Sequence, residues 1–238
     1  MGNRNKNVSL ETPENLKDHI FYGMNLDQEQ EIFRDNIYDP EKLIVVCNAK
    51  AGTGKTTIAV GVANLLVQYG LYDGIIYIMA PTMEQKQGYL PGSQEDKNAP
   101  YMEPLIEALY SLGLDPMQLI KSDSNIQALK NGTAYIDFKV TTYLRGCNFE
   151  NKVVIIDEAQ NAYHDELKKT LTRIHDTCKT ILIGHTEQCD LLKHQERSGF
   201  KPYLNAFNEI KDDPRVAICN LSTNHRGWLS TFCDNVYL

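Results

Sequence analysis

Apolar residues fall in two rhythms along the chain. Residues 43–47, 75–79, 153–156 and 180–183 are nearly continuous apolar runs, the mark of strands covered on both faces. Residues 134–140 and 216–221 are β-like as well. Between them the spacing lengthens to the helical period. Leu26, Gln30, Phe33 and Ile37 share a face over 25–37, and Ile58, Val62, Leu65, Leu66 and Tyr69 form a stripe that Gly70 ends. Helices are also predicted over 104–112, with proline in the first turn, over 115–120, and over 164–174 with Leu167, Leu171 and Ile174 inward. Residues 81–100 read as a polar loop. Strands alternating with helices predict an α/β fold, one domain built on a mostly parallel sheet with helices on both faces. Residues 1–24 read as a flexible tail and adaptor, and 25–238 as the domain.

The strongest chemical signal follows the first strand: Ala49-Lys50-Ala51-Gly52-Thr53-Gly54-Lys55-Thr56. This is the spacing of a phosphate-binding loop, with alanine where the strict pattern has its first glycine. Gly52 and Gly54 let the backbone curl so that its N–H groups face phosphate oxygens, and the next helix adds its positive end. Lys55 supplies charge for the β- and γ-phosphates, Thr56 a hydroxyl for Mg²⁺, and Thr57 continues the binding turn. A glycine-rich turn ending by chance in Gly-Lys-Thr is the plain alternative. The strand before and helix after argue against it.

The apolar run 153–156 ends in Asp157 and Glu158. A second strand tip in such proteins brings an aspartate to the Mg²⁺ shell, which fits Asp157. Glu158, one residue on, is placed to accept a proton from an attacking water. The alternative is a solvated strand end. Gln188, after the run at 180–183, is a candidate to position water or report the γ-phosphate, or is simply loop. Gln30 is a candidate reader of the adenine edge, or a surface glutamine. Charge developing in phosphoryl transfer calls for an arginine; Arg145, Arg173 and Arg226 are candidates, each otherwise a surface ion pair. Arg226 follows the last strand, beside the sheet tips.

Composition narrows the setting. The 238 residues include 24 basic and 31 acidic, a net charge of −7 that disfavours binding nucleic acid by bulk attraction. The imbalance lies in residues 1–129, with 10 basic and 17 acidic, whereas 130–201 hold 11 and 10. Any basic face is therefore local; Lys168, Lys169, Arg173 and Lys179 are one stretch that a strand backbone could use, or a solvated helix face. No apolar run reaches the ~18 residues of a membrane span, and the N-terminus is polar, so a cytoplasmic protein is expected. The six cysteines form no C-x-x-C pair and read as reduced thiols. His185, Cys189 and His194 match no standard zinc spacing.

Together these segments resemble the PhoH-like ATPase family, a P-loop domain of RecA-like type related to the first domain of superfamily 1 helicases. The likeness spans about residues 25–230 and includes Gly88-Tyr89-Leu90-Pro91-Gly92, Pro100-Tyr101-Met102-Glu103-Pro104, Tyr143-Leu144-Arg145-Gly146, Asp157-Glu158-Ala159-Gln160-Asn161 and Leu171-Thr172-Arg173. The chain departs from the family pattern at Ala49, at Ala80 (usually arginine), at Cys147-Asn148 (usually Arg-Ser) and at His185 (usually aspartate). The resemblance implies binding and hydrolysis of ATP with Mg²⁺, association with RNA or single-stranded DNA, and a possible ring-shaped homo-oligomer. It carries ATP roles onto Lys55, Thr56, Asp157, Glu158 and Gln188. Two other readings stay open: a small-molecule P-loop kinase, which would need an arginine-rich lid that the sequence lacks, and a nucleotide-dependent switch or interaction module with little turnover.

Overall fold

The computed structural model describes residues 12–17, 20–81, 94–122, 125–141, 144, 146–187, 191 and 197–234. Six strands form one sheet: β1 (Ile44–Ala49), β2 (Ile75–Met79), β3 (Ile136–Val140), β4 (Val153–Asp157), β5 (Lys179–Gly184) and β6 (Val216–Leu221). All pairings are parallel, in the order β3-β2-β4-β5-β1-β6. The expected α/β architecture is therefore the observed one, and every strand ends at the same edge.

The helices are α1 (Gln28–Tyr38), α2 (Lys55–Gln68), α3 (Gln94–Ser111), α4 (Pro116–Leu119), α5 (Ile126–Asn131), α6 (His164–Leu171), α7 (Phe200–Glu209) and α8 (Trp228–Asp234). Strand side chains alternate between faces. Val45, Cys47, Tyr77, Ile155 and Ile181 pack with α1, α2 and α3; Val46, Ile78, Val154, Ile156 and Leu182 pack with Leu167 of α6 and Phe200 of α7. Each fully buried aliphatic side chain contributes about 1.5–3 kcal/mol, so this double cover supplies the main driving force.

Several elements differ from expectation. The helix expected from residue 104 begins at Gln94 and carries Pro100 and Pro104 within it. Leu105, Ala108 and Leu109 are buried in the core, and this packing outweighs the two lost donors. The short helices α5, α7 and α8 were not expected. In α7 Phe200 is buried and Tyr203, Leu204 and Phe207 pack beside it at helical spacing, a stripe that the sequence carries in full. The stretch read as tail and adaptor places Leu16 and Phe21 in the core. Gly61 in α2 makes room: a β-carbon there would lie 2.6 Å from the Phe21 ring, and Tyr22 Oη donates to the Gly61 carbonyl at 3.1 Å.

Candidate active site

The loop between β1 and α2 opens at the C-terminal edge of the sheet. Ala49 is the last residue of β1, buried and in register with Leu221 of β6. A residue in extended backbone carries a methyl without strain, so alanine serves at this position. The Lys50 N–H donates to the Leu221 carbonyl at 3.1 Å, and Thr53 Oγ1 donates to the Lys50 carbonyl at 3.0 Å, closing the curl. Ala51 is half-buried at the start of the turn. Gly52 and Gly54 both have φ near +75°, the left-handed region in which glycine is unstrained. Gly54 caps α2, so Lys55, Thr56 and Thr57 occupy the helix's first turn, where N–H groups lack helical partners.

The β4 tip reaches this loop across 101 residues of sequence: Thr56 Oγ1 donates to Asp157 Oδ2 at 2.7 Å. Asp157 is fully buried on the α2 face of the sheet, as the alternation Val153, Ile155, Asp157 requires. Its other contacts are the Tyr77 phenol, 2.6 Å from the same oxygen, and the Glu158 N–H, 2.8 Å from Oδ1. Burial first, and the Asp157 charge second, push the Tyr77 phenol well above its usual range, so it stays a donor.

Glu158 turns the chain with φ 52° and ψ 37°, a left-handed conformation that costs a non-glycine residue about 1–2 kcal/mol. The turn brings its carboxylate to 3.4 Å from Lys55 Nζ and 2.6 Å from Gln160 Nε2. Desolvation first, then the neighbouring Asp157 charge, raise the Glu158 pKa above the ordinary carboxylate range, while Lys55 and Gln160 pull it back. A carboxyl shifted upward in this way is a stronger proton acceptor when ionised. Gln160 Oε1 in turn accepts from the His185 N–H at 3.1 Å, and Asn48 Oδ1 from the Thr186 N–H at 3.2 Å, so the β5 tip is tied to both neighbours.

Arg226 lies against the same loop. A β-carbon on Gly52 would sit 3.1 Å from Arg226 Cγ and 2.7 Å from Asn224 Oδ1. The His225 N–H donates to the Gly52 carbonyl at 2.8 Å, and its Nε2 is 2.8 Å from Asp27 Oδ2 at the start of α1. Gln30, in the first turn of α1, is buried; its Nε2 donates to the Thr53 carbonyl at 2.9 Å and its Oε1 accepts from the Asp27 N–H at 3.0 Å. Gln30 thus touches the loop itself, and any contact with an adenine edge requires these bonds to exchange.

Not every candidate converges here. Gln188 and Arg145 lie outside the described residues, as do Cys189 and His194. Arg173 sits at the opposite edge of the sheet: its Nη1 donates to the Cys147 carbonyl at 3.2 Å, and its own carbonyl accepts from Phe149 just before β4. Lys179, read from sequence as part of a basic stretch, is buried instead, and its ammonium donates to the carbonyls of Asp39 and Lys42. Sequence reasoning missed Tyr77 and the Asn224–His225 clamp on Gly52. The signal for Tyr77 was a phenol in an otherwise aliphatic buried strand, which demands a polar partner.

The oxygen donors Thr56 Oγ1 and Asp157 suit a hard divalent cation. Among the described residues no cluster of three or more His, Cys, Asp or Glu side chains could hold a metal. A site with so few protein oxygens fits Mg²⁺, which is commonly held by one or two protein groups plus substrate phosphates.

The fold and the loop define a P-loop nucleotide-binding domain of RecA-like architecture. The large terminase of bacteriophage HK97 shares that fold, with a TM-score of 0.51 at 12% identity over 87% of this chain and 41% of that one. Residues 24–226 match the PhoH-like protein family, and the chain belongs to it. It is 32% identical over 167 residues to Protein PhoH2 of Bacillus subtilis (strain 168), covering 69% of this chain and 34% of that protein. It is 33% identical over 181 residues to the PhoH-like protein of Synechocystis sp. (strain ATCC 27184 / PCC 6803 / Kazusa), covering 75% and 51%. The chain therefore spans about a third to a half of the length of these curated relatives. Among the described residues no helix is long and apolar enough to cross a membrane.

Proposed function

We propose that this chain binds ATP with Mg²⁺ at residues 49–57 and hydrolyses it, and that a strand of RNA or single-stranded DNA controls turnover. The observation that carries the reading is the Thr56–Asp157 hydrogen bond of 2.7 Å, which joins the loop to the β4 tip beside the Lys55–Glu158 pair. Lys55 leaves Glu158 for the β- and γ-phosphates when ATP enters. Thr56 Oγ1, with its proton held by Asp157, offers lone pairs to the cation. Bound Mg²⁺ supplies Lewis-acid neutralisation of charge on the phosphate oxygens. Glu158, released from Lys55, takes a proton from the attacking water; the bond to the leaving ADP breaks, giving ADP and inorganic phosphate. Arg226 stabilises charge on the transferring group from its place beside Gly52. Gln188 positions the water, and Gln30 reads the adenine edge.

Strand coupling rests on the family resemblance, and a ring-shaped homo-oligomer is a further expectation of the same resemblance. A second reading, a switch with little turnover, has one observation in its favour: the proposed base is engaged by both Lys55 and Gln160. One set of measurements separates the readings: nucleotide affinity and phosphate release, with Mg²⁺ or EDTA, and with RNA, single-stranded DNA or neither. Mg²⁺-dependent release stimulated by a strand supports the first. Tight binding with negligible release supports the second. Failure to bind any nucleotide overturns both.

A further inference from the structure

The mechanism above does not use Tyr77, yet this residue touches its central carboxylate. Tyr77 is the middle residue of β2, whose five residues are all buried. A hydroxyl in that position is costly unless paired. Its partner follows from register: Tyr77 is aligned with Ile155 and Met79 with Asp157, so Tyr77 and Asp157 are diagonal neighbours on one face of adjacent strands. A long side chain spans that diagonal. The ring is steadied by Phe138, its register partner on β3, at a centroid distance of 6.1 Å and an interplanar angle of 22°.

Among the described residues the Asp157 carboxylate consequently has three protein donors. Thr56 and Tyr77 both donate to Oδ2, at 2.7 and 2.6 Å, and the Glu158 N–H donates to Oδ1 at 2.8 Å. The two side-chain donors have different tasks. Thr56 stands in the loop, and its oxygen is needed by the cation. Tyr77 stands in the sheet, and its hydroxyl is committed to Asp157. We infer that Tyr77 is a positioning residue for the cation site, fixing the Asp157 carboxylate so that the Thr56 proton stays on it and the Thr56 lone pairs stay available to Mg²⁺. This rests on the Mg²⁺–nucleotide reading proposed above. Without the phenol hydroxyl, the Glu158 N–H and the Thr56 hydroxyl remain as the carboxylate's donors among the described residues, and its orientation loosens.

Tyr77→Phe tests this, since it keeps the ring and its stack on Phe138 and deletes one oxygen. The readout is the ratio of ATP dissociation constants measured calorimetrically in EDTA and in excess Mg²⁺. The variant should lower that ratio about tenfold, the scale of a lost hydrogen bond to a charged group, with affinity in EDTA within about twofold of the parent. In an Asp157→Asn background the same substitution should leave the ratio unchanged. An unaltered ratio in Tyr77→Phe overturns the inference. So does an equal loss of affinity with and without Mg²⁺, which would mark a purely structural role, or a further tenfold drop in the Asp157→Asn background. If the parent itself shows no Mg²⁺-dependent tightening, the cation reading fails and this inference fails with it; the parent titration alone distinguishes that result.

Discussion

Two lysines sit near opposite edges of the same sheet, and they do opposite things. Lys55, at the C-terminal edge, keeps 12% of its side chain exposed and faces the Glu158 carboxylate at 3.4 Å. Lys179, at the start of β5, is 1% exposed and faces two backbone carbonyls. The carboxylate is a partner that an anionic ligand can replace, because phosphate offers the same charge at the same place. The backbone carbonyls are fixed in the chain, and withdrawing the lysine would cost each of them a hydrogen bond to a charged donor. The Lys55 pair is thus suited to exchange, whereas Lys179 is a staple between β5 and the segment joining α1 to β1. Desolvation first lowers the Lys179 pKa to about 8, opposed by Asp39 and aided by Lys42.

The contrast can be broken at either end. The largest effect is expected from Glu158→Gln, which should keep nucleotide affinity while phosphate release falls by roughly 10²–10⁴-fold, the usual worth of a general base. Full activity in that variant would remove Glu158 from the role. Lys55→Ala should cut phosphate release on the order of 10²-fold and weaken ATP binding, with little change in melting temperature. A large loss of stability instead would make Lys55 a staple like Lys179.

At the other end the prediction concerns pH. The unfolded chain holds the Lys179 proton up to its ordinary pKa near 10.5, whereas the folded chain releases it near 8. Between those values the unfolded state binds more protons, so this residue makes stability rise with pH from about 8 to 10.5, by up to ~3 kcal/mol. Below pH 8 the cost of burying the charge is constant. Lys179→Met should abolish the rise and leave ATP affinity unchanged; denaturant titrations of both proteins at pH 7, 9 and 10 would reveal it. Parallel curves for the two would refute the assignment. The smallest effect belongs to the arginines as a pair. Arg226→Ala should slow hydrolysis at least tenfold and Arg173→Ala within twofold, given their places against Gly52 and the Cys147 carbonyl. Equal effects would argue that Arg173 acts from another subunit.

Much of this was legible in the residues because the signals are local. Continuous apolar runs can only be strands or helices of a buried layer, and their lengths selected strands. The glycine spacing before Lys55 has few other uses. Two helices escaped for different reasons. The stripe of α7 is plain in the residues (Phe200, Tyr203, Leu204 and Phe207 at helical spacing), whereas α3 keeps two prolines, which argue against a helix, because its later half packs against the core. Lys179 misled, since a lysine reads as surface until the strand's own burial is known. Its place at the head of the run that continues Thr180-Ile181-Leu182-Ile183 was the available hint.

The amino-acid order by itself determined the phosphate loop, the alternation of strands and helices, and the acidic tip of β4, since each depends on neighbours within a few positions. Only the tertiary structure decided which side chains meet there. It set Tyr77 and Thr56 on one oxygen of Asp157, closed Asn224 and His225 over Gly52, and sent Arg173 to the far edge. Those contacts join residues separated by tens to hundreds of positions. They follow from strand order and register, which no local pattern of residues encodes.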